Sequence, residues 1–257
     1  MIRKLENTKE LPHFGAAALF ILLNISSLTA IINCGKRSGI TAKRIQPETL
    51  TMTDIRKTLI RSICAGAAIA LGGTVFLSCE NKIAGAMLFS VGLITVLVFG
   101  FDLFTGKACN EAFIKKPLTL VLIWVGNLLG AVAFGLMTSV RPALLETAST
   151  LAAAKLDKPF YAVIVDGIIC EFCIALAVRG YAKAEGFGRF LIVVFGVMTF
   201  ILCGAEHVVA DMFYFACART SDIVPTIVFL FWTTLGNTAG GIIWWLAEKA
   251  VAQKQQN

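Results

Sequence analysis

His207 is the side chain of this sequence best suited to chemistry near neutral pH, because an imidazole can donate or accept a hydrogen bond or exchange a proton. It lies in the segment GAEHVVADMF at 204–213, beside Glu206 and four residues before Asp211. Ionisable side chains inside an apolar segment are costly to bury and mark functional sites. We therefore predict a functional role for His207, with Glu206 holding backbone nearby.

A second polar motif, FDLFTG at 101–106, places Asp102 and Thr105 inside another apolar segment. Gly106 can supply a turn that other residues resist. The Thr105 hydroxyl could satisfy backbone groups exposed at that turn, or it could contact a solute. The residues of the motif do not choose between these two interpretations.

The motif GN-x-x-G occurs twice, as GNLLGAV at 126–132 and as GNTAGGI at 236–242. Small residues one turn apart let two helices approach closely, and an Asn amide can bond backbone exposed at a helix break. We predict this supporting role for Asn127 and Asn237. The acidic residues of the two polar motifs are assigned to the same breaks: Asp102, Glu206 and Asp211.

The sequence argues against an enzyme. Intramembrane hydrolases need a nucleophile with a base, or a metal with several His or carboxylate ligands. The apolar core segments contain a single histidine, and no G-x-S-x-G motif is present. Cys170 and Cys173 form a C-x-x-C pair without a second pair or a neighbouring His, so they are interpreted as packing residues. No catalytic residue, metal or cofactor is predicted.

The elements that must position these residues are membrane-spanning helices. Of the 257 residues, 57% are hydrophobic and only 15% are charged, whereas soluble domains carry about 25% charged residues. The apolar residues form six runs long enough to span a bilayer: 58–78, 84–113, 117–140, 160–181, 188–218 and 225–247. The second and fifth runs contain the polar motifs, so both are predicted to be broken helices buried in protein.

The net charge of +7 comes from Lys and Arg residues between the apolar runs, which argues for positively charged cytoplasmic loops and against nucleic-acid binding. More of these residues fall in loops on the side of the six-span termini than on the other side. We therefore predict a multi-pass protein of the cell membrane (the inner, cytoplasmic one), with the termini of its six-span core in the cytoplasm.

Residues 1–50 form an extension of uncertain status, containing an uncharged apolar stretch at 14–33. This stretch could be an additional helix, an uncleaved signal-like anchor or sequence upstream of the true start. The sequence leaves these three alternatives open.

The second half of the six-span core resembles the first. The GN-x-x-G motifs begin at 126 and 236, Asp102-Leu103-Phe104 matches Asp211-Met212-Phe213, and Ile69-Ala70-Leu71 matches Ile174-Ala175-Leu176. Because each half has three spans, the halves must cross the membrane in opposite directions. We predict an all-α membrane protein with an inverted 3+3 repeat, whose broken helices meet near the midplane and form a solute site.

FDLFTG, the repeated GN-x-x-G and GAEHVVADMF together resemble the formate/nitrite transporter family, over about residues 51–250. The resemblance makes this stretch a channel domain, followed by a cytoplasmic tail at 251–257. It implies a homopentamer of aquaporin-like protomers, each with its own pore. Thr105 and His207 would then lie at the pore centre, and a cytoplasmic-side constriction would be formed by Phe89, Leu93, Phe104 and Phe200.

The resemblance implies a channel in the lipid bilayer for small monovalent anions of weak acids, namely formate, nitrite or hydrosulfide. A proton-coupled transporter of the same anions is the alternative. Asp211 and Glu171 replace residues that are often Asn in the family, and Gly106-Lys107 follows Thr105 at a variable place. These departures slightly favour hydrosulfide. Lys155, near the outer end of the fourth span, would attract anions to the vestibule, or else be an ordinary loop lysine.

Overall fold

A computed structural model describes residues 52–254, and all regular secondary structure within that range is helical. We number the helices in chain order: α1 Met52–Ser78, α2 Lys82–Phe99, α3 Phe104–Ala108, α4 Glu111–Ile114, α5 Pro117–Thr138, α6 Pro142–Leu156, α7 Phe160–Lys183, α8 Gly188–Leu202, α9 Val208–Cys217 and α10 Ile223–Lys254. The predicted extension 1–50 lies outside the described residues, as do residues 255–257 of the predicted tail.

Within the described range, 5 helices are long and apolar enough to cross a membrane: α1, α2, α5, α7 and α10. The fifth predicted span consists of two shorter apolar helices, α8 and α9. The prediction of an all-α membrane protein is confirmed. The sequence did not indicate α6, which lies between the third and fourth spans and begins with proline at its first turn.

Both predicted helix breaks are present, and each begins at a glycine with a left-handed backbone. Gly100 ends α2 with a φ of 64°, and Gly204 follows α8 with a φ of 68°. Residues with a side chain adopt this conformation only at a cost in free energy. After each glycine the chain runs extended for a few residues and then re-enters a helix at Phe104 or at Val208.

Asn127 holds the first break. Its side-chain oxygen accepts a hydrogen bond from the backbone N–H of Phe104 at 2.8 Å. Its amide nitrogen donates to the carbonyl of Asp102 at 2.9 Å and to that of Ser62 at 2.8 Å. The amide thereby satisfies backbone groups of the break and ties them to α1.

Asn237 holds the second break through the same set of bonds. It accepts from the backbone N–H of Val208 at 3.0 Å and donates to the carbonyls of Glu206 at 2.9 Å and Gly167 at 2.8 Å. The predicted bonds from the two Asn amides to broken backbone are therefore present.

The hydrogen bonds of Asn127 and Asn237, which we call the two clamps, show which residues of the two halves are equivalent. Matching identical letters paired Asp102 with Asp211, whereas the hydrogen bonds make Asp102 equivalent to Glu206 and Leu103 equivalent to His207. Both members of the latter pair are the N-cap residues of the helix that follows. The clamp binds backbone atoms, so the side chains at equivalent positions were free to differ.

Glycines bring the helices of each half into close contact. Gly126 faces the Leu59 carbonyl and Gly130 the Ile63 carbonyl, so α1 and α5 run in the same direction. Gly236 faces the Ile164 carbonyl and Gly240 that of Ile168, so α7 and α10 do the same. A β-carbon at any of these glycines would meet backbone of the neighbouring helix. The opposite membrane orientation of the two halves stays a prediction.

We expect Asn127→Ala and Asn237→Ala to destabilise the protein by similar amounts, because each leaves buried backbone groups of one break without partners. The expected cost is about 1–3 kcal/mol for each unsatisfied group. Thermal unfolding in detergent, followed by tryptophan fluorescence, measures it.

Asn81→Ala is the matched control, because Asn81 caps α2 with bonds to two N–H groups at an exposed site. Loss of an exposed cap costs about 1 kcal/mol. If Asn81→Ala lowers the unfolding temperature as much as the other two variants do, the two Asn amides are not the main support of the breaks.

Candidate functional site

His207 is the N-cap residue of α9, and it has extended backbone geometry. Its Nδ1 accepts a hydrogen bond from the backbone N–H of Ala210 at 3.1 Å. A backbone N–H can only donate, so Nδ1 must carry a free lone pair, and the proton of a neutral imidazole lies on Nε2. The helix cap therefore orients the ring and presents its Nε2–H as a donor.

Thr105 receives that donor. Its Oγ1 lies 3.0 Å from Nε2 of His207, and both side chains are buried. With His207 donating, the Thr105 hydroxyl proton is available for a further acceptor. The structure thus joins the two polar motifs through one buried contact between α3 and the start of α9.

A cavity of about 190 Å³ borders His207. It is lined by residues of α1, α2, α6, α8, α9, the α6–α7 connection and the second break, among them Phe76, Lys82, Lys155, Lys158, Phe200, Glu206, His207, Asp211 and Tyr214. Lys82 begins α2 and Lys158 precedes α7, at helix ends that the sequence places outside the cell. By that assignment, the cavity opens toward the outer side.

The structure places Phe200 in the lining of the cavity at His207. The sequence grouped it with a cytoplasmic-side constriction, whereas the predicted topology puts this cavity on the outer side. The ring of Phe200 stacks on His207 with centroids 5.7 Å apart and meets the edge of Phe89 at 5.9 Å. Phe89 and Phe200 therefore form an aromatic pair next to His207, on the cavity side.

Leu93 and Phe104 are buried in the same apolar cluster as Phe89 and Phe200. Leu93 lies one helical turn beyond Phe89, counted from the end of α2 that borders the cavity. Phe104 is the first residue of α3 and precedes Thr105. Both side chains thus belong to the buried apolar cluster that also contains the aromatic pair.

Lys155 is neither an ordinary loop lysine nor a free cation near the outer end of the fourth span. It lies in the last turn of α6, is buried, and pairs with Glu206 and, at 2.9 Å, with Asp211. Burial lowers the pKa of Lys155, but the carboxylates of Asp211 and Glu206 raise it by more. The ammonium is therefore charged and already neutralised by protein groups.

Lys158 extends this cluster. Its ammonium lies 2.7 Å from carboxylate oxygens of both Asp166 and Glu206. Burial lowers the pKa of Lys158, and hydrogen bonds to the two carboxylates raise it to a net value above its usual range. The Glu206 side chain thus binds two lysines, and the prediction that it would hold backbone is wrong. Asn237 performs that task.

The first break carries a smaller charge cluster at the equivalent position. Asp102 lies 3.4 Å from the Arg61 guanidinium and 3.2 Å from the Lys107 ammonium. Arg61 also donates to the carbonyl of Gly100. Each break thus has one carboxylate, Asp102 or Glu206, bound by two cations.

Sequence reasoning missed Asp166 and undervalued Lys158, Arg61 and Lys107, which it counted as loop charges or as a departure from a motif. Asp166 lies inside a predicted span, and its charge was a signal that it has a partner. Glu171 was noted only as a departure. It is fully buried, and neither of its carboxyl oxygens has a hydrogen-bond partner within the described part of the chain.

Comparison with known proteins decides the family. The sequence model of the formate/nitrite transporters matches residues 42–247. The chain belongs to the formate/nitrite transporter family.

Curated relatives in this family include the nitrite transporter NirC of Salmonella typhimurium, which is 28% identical over 72% of this chain and 78% of its own. The probable formate transporter of Methanothermobacter thermautotrophicus is 28% identical over 73% and 85% of the two chains. The formate channel BtFdhC of Bacillus thuringiensis is 27% identical over 71% and 82%.

Solved structures of the formate/nitrite transporter fold superpose on this chain. An ion channel of the family has a TM-score of 0.70 with 24% identity, and the match covers 78% of this chain and 91% of the other. A pentameric formate channel with formate bound has a TM-score of 0.70 with 21% identity, covering 78% and 98%. These likenesses show the fold. The protein is thus a multi-pass membrane protein of a transporter and channel family.

We expect Lys155→Met to destabilise this family member by about 3–5 kcal/mol, because it strands the buried carboxylates of Glu206 and Asp211. Adding Glu206→Gln and Asp211→Asn should restore most of the loss. Lys158→Met is the control, since Lys158 is more exposed and Glu206 would keep Lys155. Equal unfolding temperatures for Lys155→Met and the unsubstituted protein would show that the cluster is not needed for folding.

Proposed function

We propose that this protein is a channel for small monovalent anions of weak acids (formate, nitrite and hydrosulfide), with one pore in each protomer. The observation that carries the proposal is the buried contact between Thr105 and His207, where the two helix breaks meet. Membership of a family with formate and nitrite transporters supports the substrate class. The departures at Asp211, Glu171 and Gly106-Lys107 slightly favour hydrosulfide among these anions.

The main barrier for such an anion is the loss of its hydration in an apolar passage. Two donors at the centre reduce that cost: the Nε2–H of His207 and the hydroxyl of Thr105. Because Nδ1 is occupied by the N–H of Ala210, protonating it would set two donors against each other. The neutral imidazole therefore acts as a hydrogen-bond donor from Nε2. The permeating anion interrupts the contact between Thr105 and His207 and takes the place of one side chain as the hydrogen-bond partner of the other.

Apolar side chains on either side of these donors provide selectivity. The pair Phe89 and Phe200 narrows the passage on the cavity side, and Leu93 and Phe104 close it beyond His207. Large or strongly hydrated ions are excluded because none of these four side chains can replace water. A small anion that gains two hydrogen bonds at the centre passes between the layers.

Lys155 contributes to this site by position rather than as a free attractor of anions. Its ammonium holds Glu206 and Asp211, which flank His207 in sequence, and so fixes the segment that carries the imidazole. The local charge is not positive: Lys155 and Lys158 face the three carboxylates of Asp166, Glu206 and Asp211.

The buried carboxylates of this cluster favour one alternative, a proton-coupled transporter. Asp211 is buried and lies four residues from His207, so it is a group able to hold a proton near the imidazole. Recordings in planar bilayers distinguish the two functions: unitary currents establish a channel, whereas anion flux without such currents, coupled to proton uptake, establishes the carrier.

His207→Phe should abolish weak-acid flux into proteoliposomes, because the central donor is lost. His207→Asn retains an acceptor for the Ala210 N–H and separates the helix cap from permeation. Thr105→Val should lower flux through loss of the second donor. Thr199→Val is its control, since that hydroxyl is exposed and bonds within its own helix. Unchanged flux and pH profile in folded His207→Phe would refute the mechanism.

Leu93→Ala should widen the apolar layer beyond His207 and admit larger anions such as acetate or lactate. The reason is that a buried Leu side chain is replaced by a methyl group. The ratio of lactate to formate flux in proteoliposomes measures the change. Val98→Ala, an exposed position on the same helix, should leave the ratio unaltered. A Leu93→Ala ratio equal to that of Val98→Ala would remove Leu93 from the constriction.

We further infer that the protein assembles as a homopentamer in the cytoplasmic membrane, with the termini of the six-span core inside the cell. The pentameric state of a formate channel with this fold supports the assembly, and the Lys and Arg distribution supports the orientation. Native mass spectrometry of the detergent-solubilised protein should give a mass of five chains. A stable trimer or monomer under conditions that preserve flux on reconstitution would contradict this assembly.

A further inference from the structure

A groove separates the C-terminal halves of α7 and α10, on the membrane side opposite the cavity at His207 by the predicted topology. Its volume is about 600 Å³. Apolar side chains line most of it, and charged side chains lie at one end: Phe172, Arg179, Lys183, Trp244, Ala247, Glu248, Val251 and Ala252. None of the side chains proposed for the pore lines this groove.

The groove has a deep apolar end and a shallow charged end. Phe172 meets the edge of Trp244 with ring centroids 5.8 Å apart, and Arg179 pairs with Glu248. Because α7 and α10 run in the same direction, both helices carry the groove from these rings to the charges. Phe172 lies about 10 Å below Arg179 along the helix axis, so the aromatic end is at hydrocarbon depth when the charges are at the headgroups.

The charged end has an excess of cation. Arg179 donates to one Glu248 oxygen from Nε at 3.0 Å and from Nη2 at 2.6 Å. Lys183 lies 3.5 Å from the other oxygen, and its side chain is 75% exposed. One carboxylate cannot neutralise both cations, and an ammonium has three donors. Lys183 and the outer face of Arg179 are therefore able to bind an anion from the membrane boundary.

We propose that this groove binds an anionic phospholipid, with the phosphate at Lys183 and Arg179 and an acyl chain along Phe172, Trp244 and Val251. The charge complementarity selects an anionic headgroup, and the apolar depth requires a chain that a free phosphate lacks. Phe172 and Val251 are 37% and 61% exposed, so the wall facing that chain is open. The proposal concerns a lipid site separate from the permeation path.

Quenching of Trp244 by brominated lipid tests the proposal. The full-length protein is reconstituted into phosphatidylcholine vesicles containing either brominated phosphatidylglycerol or brominated phosphatidylcholine. The signal lost in Trp244→Phe isolates this indole from the other three of the 4 tryptophans. We expect phosphatidylglycerol to associate about fivefold more strongly than phosphatidylcholine, the effect of one surface cation.

Variants that remove one charge test whether the preference for phosphatidylglycerol depends on the charged end of the groove. Lys183→Gln should bring the ratio of the two lipids close to one, whereas Glu248→Gln should raise it, because the competing carboxylate is gone. Lys249→Gln is the matched control: it removes the same charge one residue from Glu248, but Lys249 lies over the Trp245 ring, outside the groove lining.

Equal quenching by the two lipids, or a preference that Lys183→Gln leaves intact, would overturn the proposal in favour of ordinary bulk lipid. Absence of quenching of Trp244 by either lipid would overturn it in favour of a protein occupant, such as a neighbouring subunit.

Discussion

The broken backbone of two membrane helices is the constraint on which the rest of this structure depends. In hydrocarbon no water is present to bond exposed N–H and C=O groups, so an interrupted span survives only if protein groups satisfy them. One amide does this at each break, Asn127 or Asn237, by bonding both sides of the gap and a neighbouring helix. Glycines at the same helices let the amides come close enough to reach.

The hydrogen bonds of the two Asn side chains also create the site. In a continuous helix the backbone N–H groups bond to carbonyls of the same helix. Each break is instead followed by a short helix whose first residue is bonded by an Asn side chain of another helix. Thr105 follows the backbone that Asn127 binds, and His207 lies within the backbone that Asn237 binds, which is why a hydroxyl and an imidazole meet in the protein interior. The helix cap at Ala210 then determines which imidazole nitrogen faces Thr105.

The buried charged side chains at the two breaks are paired with side chains of opposite charge. The acid at each break binds two cations, and the second cluster includes Lys155, which is largely buried. Such pairs contribute little net stability compared with apolar packing, but breaking one is costly. We infer that their contribution is orientation: they hold the extended segment before α9 in one conformation.

Much of this molecule could be predicted from the sequence by itself. Long apolar runs indicated the spans, the polar motifs FDLFTG and GAEHVVADMF inside two of them indicated the breaks, and the Asn in each GN-x-x-G motif indicated what would satisfy the backbone. These features are local, because hydropathy and helix interruption depend on neighbours along the chain. The tertiary structure decided which side chains meet. Thr105 and His207 are 102 residues apart, and Lys155 and Glu206 are 51 apart. Contacts at such separations depend on how whole helices pack, so the partners of Lys155, the place of Phe200 beside His207 and the equivalence of Asp102 with Glu206 emerged only once the helices were assembled.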